Sequence, residues 1–177
     1  MTTYTLAGGC FWCLDAVYRK VTGVKNVVSG YTGGDVPTPS YDQVSMGITG
    51  HTEAVQVSFD ESIVPANVIL DLFFLIHDPT TLNRQGNDVG TQYRSAMFYT
   101  DNNQKELFKA ALERAKEQWK DKIVTDVTPL GMFYPAEEYH QNYFDQNPGN
   151  GYCSVIIAPK VIKARKAFKK YFKENDK

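Results

Sequence analysis

The sequence predicts an α/β fold with some α+β character: a single domain in which helices pack a mixed β-sheet as a two-layer sandwich. Three observations carry this. Strand-like and helix-like patterns interleave along the chain. The 177 residues suit one hydrophobic core and show no linker, repeat or low-complexity stretch, so residues 1–177 read as one domain. The composition, 42% hydrophobic and 22% charged, is that of an ordinary globular protein.

Thr3 to Leu6 reads as a short strand, and Leu14 to Val21 carry helix-like apolar spacing. Lys25 to Tyr31 reads as the next strand, and Thr32 to Tyr41, with Gly33, Gly34, Pro37 and Pro39, as a loop. Ala54 to Phe59 alternates apolar and polar residues, as a half-buried strand does, with Glu53 near its beginning. Pro65 opens a helix to about His77 that is apolar nearly all round, which predicts deep packing. Asp78 to Gln92 is a long polar loop, and loops of that length in compact domains are often functional. Tyr93 to Tyr99 returns as a strand. Asp101 and Gln104 form a capping box for a helix to Lys120, with Leu107, Phe108, Ala111, Leu112, Ala115 and Trp119 on one stripe. Ile123 to Val127 reads as a strand, and Ala136 to Asp145 as a short helix with Tyr139, His140 and Tyr143 on one side. Asn147 to Cys153 is a turn-rich loop that delivers a cysteine, and a basic amphipathic helix follows from Pro159.

A net charge of -1 argues against a chain that is basic as a whole. From Lys160 onward, eight Lys and Arg face only Glu174 and Asp176, which reads as the solvated face of a terminal helix rather than a nucleic-acid arm. The most apolar run, Val68 to Ile76, is broken by Asp71 and too short for a bilayer, and the first residues lack a secretory layout. No membrane or nucleic-acid partner is expected. Three cysteines make a disulfide framework improbable, so a cytoplasmic, reducing setting with functional thiols is expected.

The chemistry centres on Gly8-Gly9-Cys10-Phe11-Trp12-Cys13. A cysteine between a strand and a helix meets orphan amides and the positive end of the dipole, which predicts a thiol that ionises easily. Three readings follow. Cys10-x-x-Cys13 suggests a thioredoxin-like dithiol oxidoreductase, although Phe-Trp between the cysteines does not resemble the Gly-Pro of that family. His51-Thr52-Glu53 matches half of a zinc deaminase signature, but the Cys-x-x-Cys lies upstream instead of downstream, so no metal is expected. The third reading is an activated Cys10 thiolate assisted by Glu53 as acid, with tyrosines from other loops donating hydrogen bonds.

Several separate segments favour the third. Gly9-Cys10-Phe11-Trp12, Gly30 to Gly34, Gly50 to Ala54, Gly86 to Ser95, Tyr134 to Gln141 and Pro148 to Cys153 occur in order over essentially the whole chain. Together they resemble the A-type peptide methionine sulfoxide reductases. The resemblance implies that Cys10 attacks the sulfoxide sulfur and Glu53 protonates its oxygen. It also implies that Tyr41 and Tyr93 help hold that oxygen, that Asp88 supports through water, and that Phe11 and Trp12 form the S-methyl pocket. By the same resemblance the S epimer is reduced, in oxidised proteins and as the free amino acid, with no bound cofactor. Thioredoxin, or dithiothreitol in vitro, supplies the electrons, and a monomer is expected. Protonating the oxygen requires a raised Glu53 pKa, which burial would supply. Loss of the oxygen leaves Cys10 as a sulfenic acid, which a second thiol condenses to a disulfide. Cys13 departs from many family members, and a glycine-rich cysteine tail is missing. Of the candidate resolving thiols Cys13 and Cys153, the second is favoured because its turn-rich approach could carry it to Cys10 at little conformational cost.

Overall fold

The computed structural model describes residues 1–174; Asp176 and Lys177, counted in the basic tail, lie outside the described residues. β1 (Thr2–Gly8) runs into α1 (Phe11–Tyr18), then β2 (Val24–Thr32), α2 (Tyr41–Ser45), β3 (Thr52–Phe59) and α3 (Ala66–Ile76). Two short strands follow, β4 (Arg84–Gln85) and β5 (Asp88–Val89), then β6 (Ser95–Tyr99) and α4 (Asn102–Ala115). β7 (Asp126–Pro129), β8 (Phe133–Pro135), α5 (Tyr143–Gln146) and α6 (Ala158–Ala167) complete the order.

The main sheet has the order β7-β6-β1-β3-β2-β8, in which β6 and β7 run parallel and all other neighbours antiparallel. Alternation sorts its two faces. Tyr4 and Leu6 lie opposite Val57 and Val55, and Leu6 opposite Met97; these side chains form one buried cluster with Phe11 and Leu14 of α1, Leu72 and Phe73 of α3, and Phe108 of α4. On the intervening positions Ala7, Ala54, Ala96 and Phe98 make a smaller cluster, covered by Leu130 and Phe133. The expected helix layer on a mixed sheet is therefore present. Among the described residues no helix is long and apolar enough to cross a membrane.

The differences from the sequence reading lie where local hydrogen bonds override hydrophobic period. Tyr41 opens a helix instead of ending a loop, because Ser40 and Gln43 cap it reciprocally. The long polar loop contains the β4–β5 hairpin and a tight turn at Thr91–Tyr93, so the next strand starts at Ser95. The helix of the capping box stops at Ala115, not Lys120, and the strand expected at Ile123 to Val127 begins at Asp126. Ala136 to Asp145 is split in two by Asn142, which adopts a left-handed conformation with φ 52°. β8 had no readable pattern: three residues pairing on a sheet edge are too few for one.

Candidate active site

β1 ends at Gly8, where a Cβ would sit 2.9 Å from the His77 ring. Gly9 follows with φ 86°, and a Cβ there would meet Gln85 at 2.6 Å. Only glycine combines that conformation with that approach. The turn delivers Cys10 as the non-helical residue just before α1, its carbonyl accepting the Cys13 N–H at 3.1 Å. β3 supplies the facing group. Glu53, only 1% exposed and opposite Tyr31 in the ladder, accepts the Phe11 backbone N–H at 3.0 Å through Oε1. An orphan amide of the first helical turn thus ties the carboxyl to the residue after Cys10.

Burial pushes the Glu53 carboxyl up to about 8, against the single opposing pull of the Phe11 N–H; the Asp88 charge adds to the rise. At neutral pH Glu53 therefore carries a proton. Burial likewise pushes the Cys10 thiol well up, reinforced by its hydrogen bond with Cys13 and by Glu53, while the Trp12 backbone N–H pulls it down. This corrects the expectation of an easily ionised Cys10: the helix terminus acts in the expected direction but loses to desolvation. The bond from Cys10 lowers Cys13 instead, helped by the Lys160 ammonium and the Tyr152 hydroxyl.

The other expected residues converge on this pair. Tyr41 is pushed up to about 12 by burial, then by Glu53 and Cys10, and burial and Glu53 also raise Tyr93. Asp88, on β5, accepts the Tyr152 hydroxyl at 2.8 Å. Of the two aromatics expected to form a pocket, Phe11 is fully buried, its ring 5.7 Å from Tyr31. Trp12 is half-buried, stacks on Tyr143 at 3.7 Å and 4°, and donates its indole N–H to His140 Nδ1 at 3.1 Å. Trp12 is the ring that reaches solvent, and Phe11 is the one packed inside.

Cys153 is buried and opens a π-helical turn, Cys153–Ile157, that leads into α6, so the turn-rich segment ends before it. Burial and then Cys13 raise its pKa. All three cysteines are free thiols. His51 serves the loop rather than a metal: its Nδ1 accepts the Gly34 N–H at 3.0 Å and its Nε2 lies 2.7 Å from the Val36 carbonyl, occupying both nitrogens.

Sequence reasoning missed Tyr152, Glu137, His140 and Lys160 as members of the site. Glu137 accepts the Tyr31 hydroxyl at 2.9 Å and the Tyr41 N–H at 3.1 Å. A signal was present for three of them, since His140 and Glu137 sit in the Tyr134 to Gln141 segment and Tyr152 in the Pro148 to Cys153 segment. Lys160 had none.

The family model described as peptide methionine sulfoxide reductase matches residues 2–174. A curated relative, the peptide methionine sulfoxide reductase MsrA of Paenarthrobacter aurescens, is 62% identical over 168 residues, covering 95% of this chain and 97% of the relative. Among solved structures, reduced Mxr1 from Saccharomyces cerevisiae matches with TM-score 0.81 and 39% identity, over 86% of this chain and 88% of that one. Mxr1 in complex with Trx2 matches with TM-score 0.58 and 28% identity, over 80% of this chain and 84% of that one.

Proposed function

This chain belongs to the peptide methionine sulfoxide reductase family and reduces methionine sulfoxide, and we propose that it does so with Cys10 as nucleophile and Glu53 as acid. The observation that carries this is the Glu53 carboxyl, sealed at the α1 terminus beside Cys10 and held up to about 8. A sulfoxide oxygen leaves only once it is protonated, and this carboxyl holds a proton at neutral pH. The substrate is the S epimer, in oxidised proteins or as the free amino acid. Glu53 delivers its proton to the sulfoxide oxygen while Tyr41 and Tyr93 donate hydrogen bonds to it, and Asp88 orients the polar side of the pocket. The S-methyl group lies against Trp12, with Phe11 behind. The Cys10 sulfur takes the oxygen, losing two electrons to become a sulfenic acid, and methionine leaves. With Glu53 neutral its charge no longer adds to the raised Cys10 pKa, and burial and the hydrogen bond with Cys13 remain as its causes.

For recycling, we place Cys13 ahead of Cys153, which the sequence favoured. Cys13 already contacts Cys10, whereas Cys153 is buried beside Cys13. The Cys13 thiol condenses with the Cys10 sulfenic acid, forming the Cys10–Cys13 disulfide and water. Cys153 then attacks Cys13, which frees Cys10 and leaves a Cys13–Cys153 disulfide for an external dithiol to reduce by exchange. That dithiol is thioredoxin, in keeping with the Trx2 bound to Mxr1, and dithiothreitol replaces it in vitro. A cytoplasmic setting suits such thiols.

One assay tests the reading. Incubation with dithiothreitol and racemic methionine sulfoxide should consume the S form alone, and Cys10→Ser should abolish the reaction. Reduction of insulin without loss of sulfoxide would favour a dithiol oxidoreductase instead. Single turnover then tests the relay: Cys13→Ser and Cys153→Ser should each release about one methionine per enzyme yet lose most thioredoxin-supported turnover, at least tenfold. Full thioredoxin turnover in either variant removes that thiol from the relay.

A further inference from the structure

We propose that His140 is a positioning residue for sulfoxide reduction, which fixes the Trp12 wall of the substrate pocket through the lone pair of its Nδ1. The inference rests on the reading of Trp12 as that wall. An indole N–H can only donate, so its 3.1 Å contact makes His140 Nδ1 the acceptor and places the proton of the neutral ring on Nε2. Tyr143 alone does not hold the indole. A ring stacked at 3.7 Å and 4° is held against tilting but can slide and rotate in its own plane. The hydrogen bond at the indole edge removes that freedom.

The same imidazole meets two other site residues, with centroids 5.1 Å from Phe11 and 4.3 Å from Tyr41. It is anchored in turn: the adjacent Gln141 accepts the Ser29 N–H at 2.9 Å and donates to the Ser29 carbonyl at 3.0 Å, tying the segment to β2. The bland alternative is that His140 merely fills space. It fails on one observation: His140 is fully buried and its Nε2 has no partner among the described residues. An orphaned buried polar atom destabilises the fold. A phenyl ring would fill the same space without that cost, so packing alone does not account for an imidazole. Its Nδ1 acceptor does.

The test uses His140→Phe, which keeps the ring and removes the acceptor, and His140→Asn, whose side-chain oxygen can replace it. With dithiothreitol as reductant, His140→Phe should raise the KM for methionine-S-sulfoxide about tenfold with a smaller change in kcat, and His140→Asn should recover most of it. In a Trp12→Phe background, His140→Phe should add nothing, as expected of residues acting as one unit. Additive losses in the double variant, equal losses in the two His140 variants, or an unchanged KM in Trp12→Phe beside a raised one in His140→Phe would each overturn the proposal. The wild-type protein supplies a check that needs no substitution. Nitrogen NMR should show His140 Nδ1 bare and Nε2 protonated, and a proton on Nδ1 would overturn the assignment. Should Trp12→Phe and His140→Phe both leave sulfoxide kinetics unchanged while Nδ1 is bare, the hydrogen bond stands and the pocket reading itself fails.

Discussion

Glu53 and Glu137 reach Tyr41 from two unlike parts of the molecule, and they are held in opposite states. Glu53 sits at the start of β3, among residues that are nearly all buried, with one hydrogen-bond donor, the Phe11 N–H. Glu137 lies on the irregular segment between β8 and α5, half-buried, and accepts from both the Tyr31 hydroxyl and the Tyr41 N–H. Burial raises both. For Glu53 it wins, and the carboxyl stands at about 8; for Glu137 the donors and the nearby His140 win, and its pKa falls below the ordinary carboxylate value. The sheet end therefore holds a protonated carboxyl and the wrapping segment a fixed anion. What separates acid from anchor is the number of donors each carboxyl receives against the water it loses.

The largest expected effect breaks the first half of that comparison. Glu53→Gln keeps an acceptor for the Phe11 N–H but cannot supply a proton. Its single-turnover reduction should fall about a thousandfold or more, roughly 4 kcal/mol of barrier. Wild-type activity should also decline as pH rises through about 8, where Glu53 loses its proton, and the residual activity of Glu53→Gln should not show that limb. Near-normal single turnover in Glu53→Gln would move the acid role to Tyr41 or Tyr93.

The same two regions show how much was legible in the chain. The Cys10 turn was readable because strand, glycines and helix follow within about ten residues and each leaves a local signature. Glu53 was readable because alternation marks its strand. The fold class and most elements of the sheet came from the same two periodicities. Glu137, His140 and Tyr152 lie in segments that carry the resemblance, but their contacts were not readable, because their partners Tyr31, Trp12 and Asp88 lie 64 to 128 positions away and no period encodes such contacts. The Cys10 pKa was misread for a related reason. A helix N-terminus is visible in sequence, whereas the desolvation that outweighs it is a property of the packed core.

A smaller effect follows from the energetics of holding Glu53 protonated. Its native value near 8 lies above the ordinary 4.5, so between those pH values the folded state binds a proton that the unfolded state has released. The associated stability is fully present below about 4.5 and is lost as pH rises through 8, with a slope that approaches about 1.4 kcal/mol per pH unit. Glu53→Gln lacks this dependence. Denaturant titrations at pH 5.5, 7 and 8.5 should show the variant gaining on the wild type by a few kcal/mol across the series. A constant difference would mean that Glu53 ionises in the folded state as it does in the unfolded one.

The smallest effect tests the other carboxyl. Glu137→Gln preserves size and one acceptor oxygen, yet removes the charge that holds the Tyr31 hydroxyl and the Tyr41 N–H together. Hydrogen bonds to a charged group are worth about 1.5–3 kcal/mol and neutral ones about 1, so the expected loss is about 1 kcal/mol of positioning, or roughly fivefold in kcat/KM. The pH profile separates this from a change at the acid. Glu137 is not among the groups that shift Glu53, so the decline near pH 8 should remain where it is in the wild type. The KM and kcat of Glu137→Gln should move with that limb intact, in contrast to Glu53→Gln, which loses the limb with the rate. If the limb of Glu137→Gln shifts, the two carboxyls are coupled, and the division between acid and anchor does not hold.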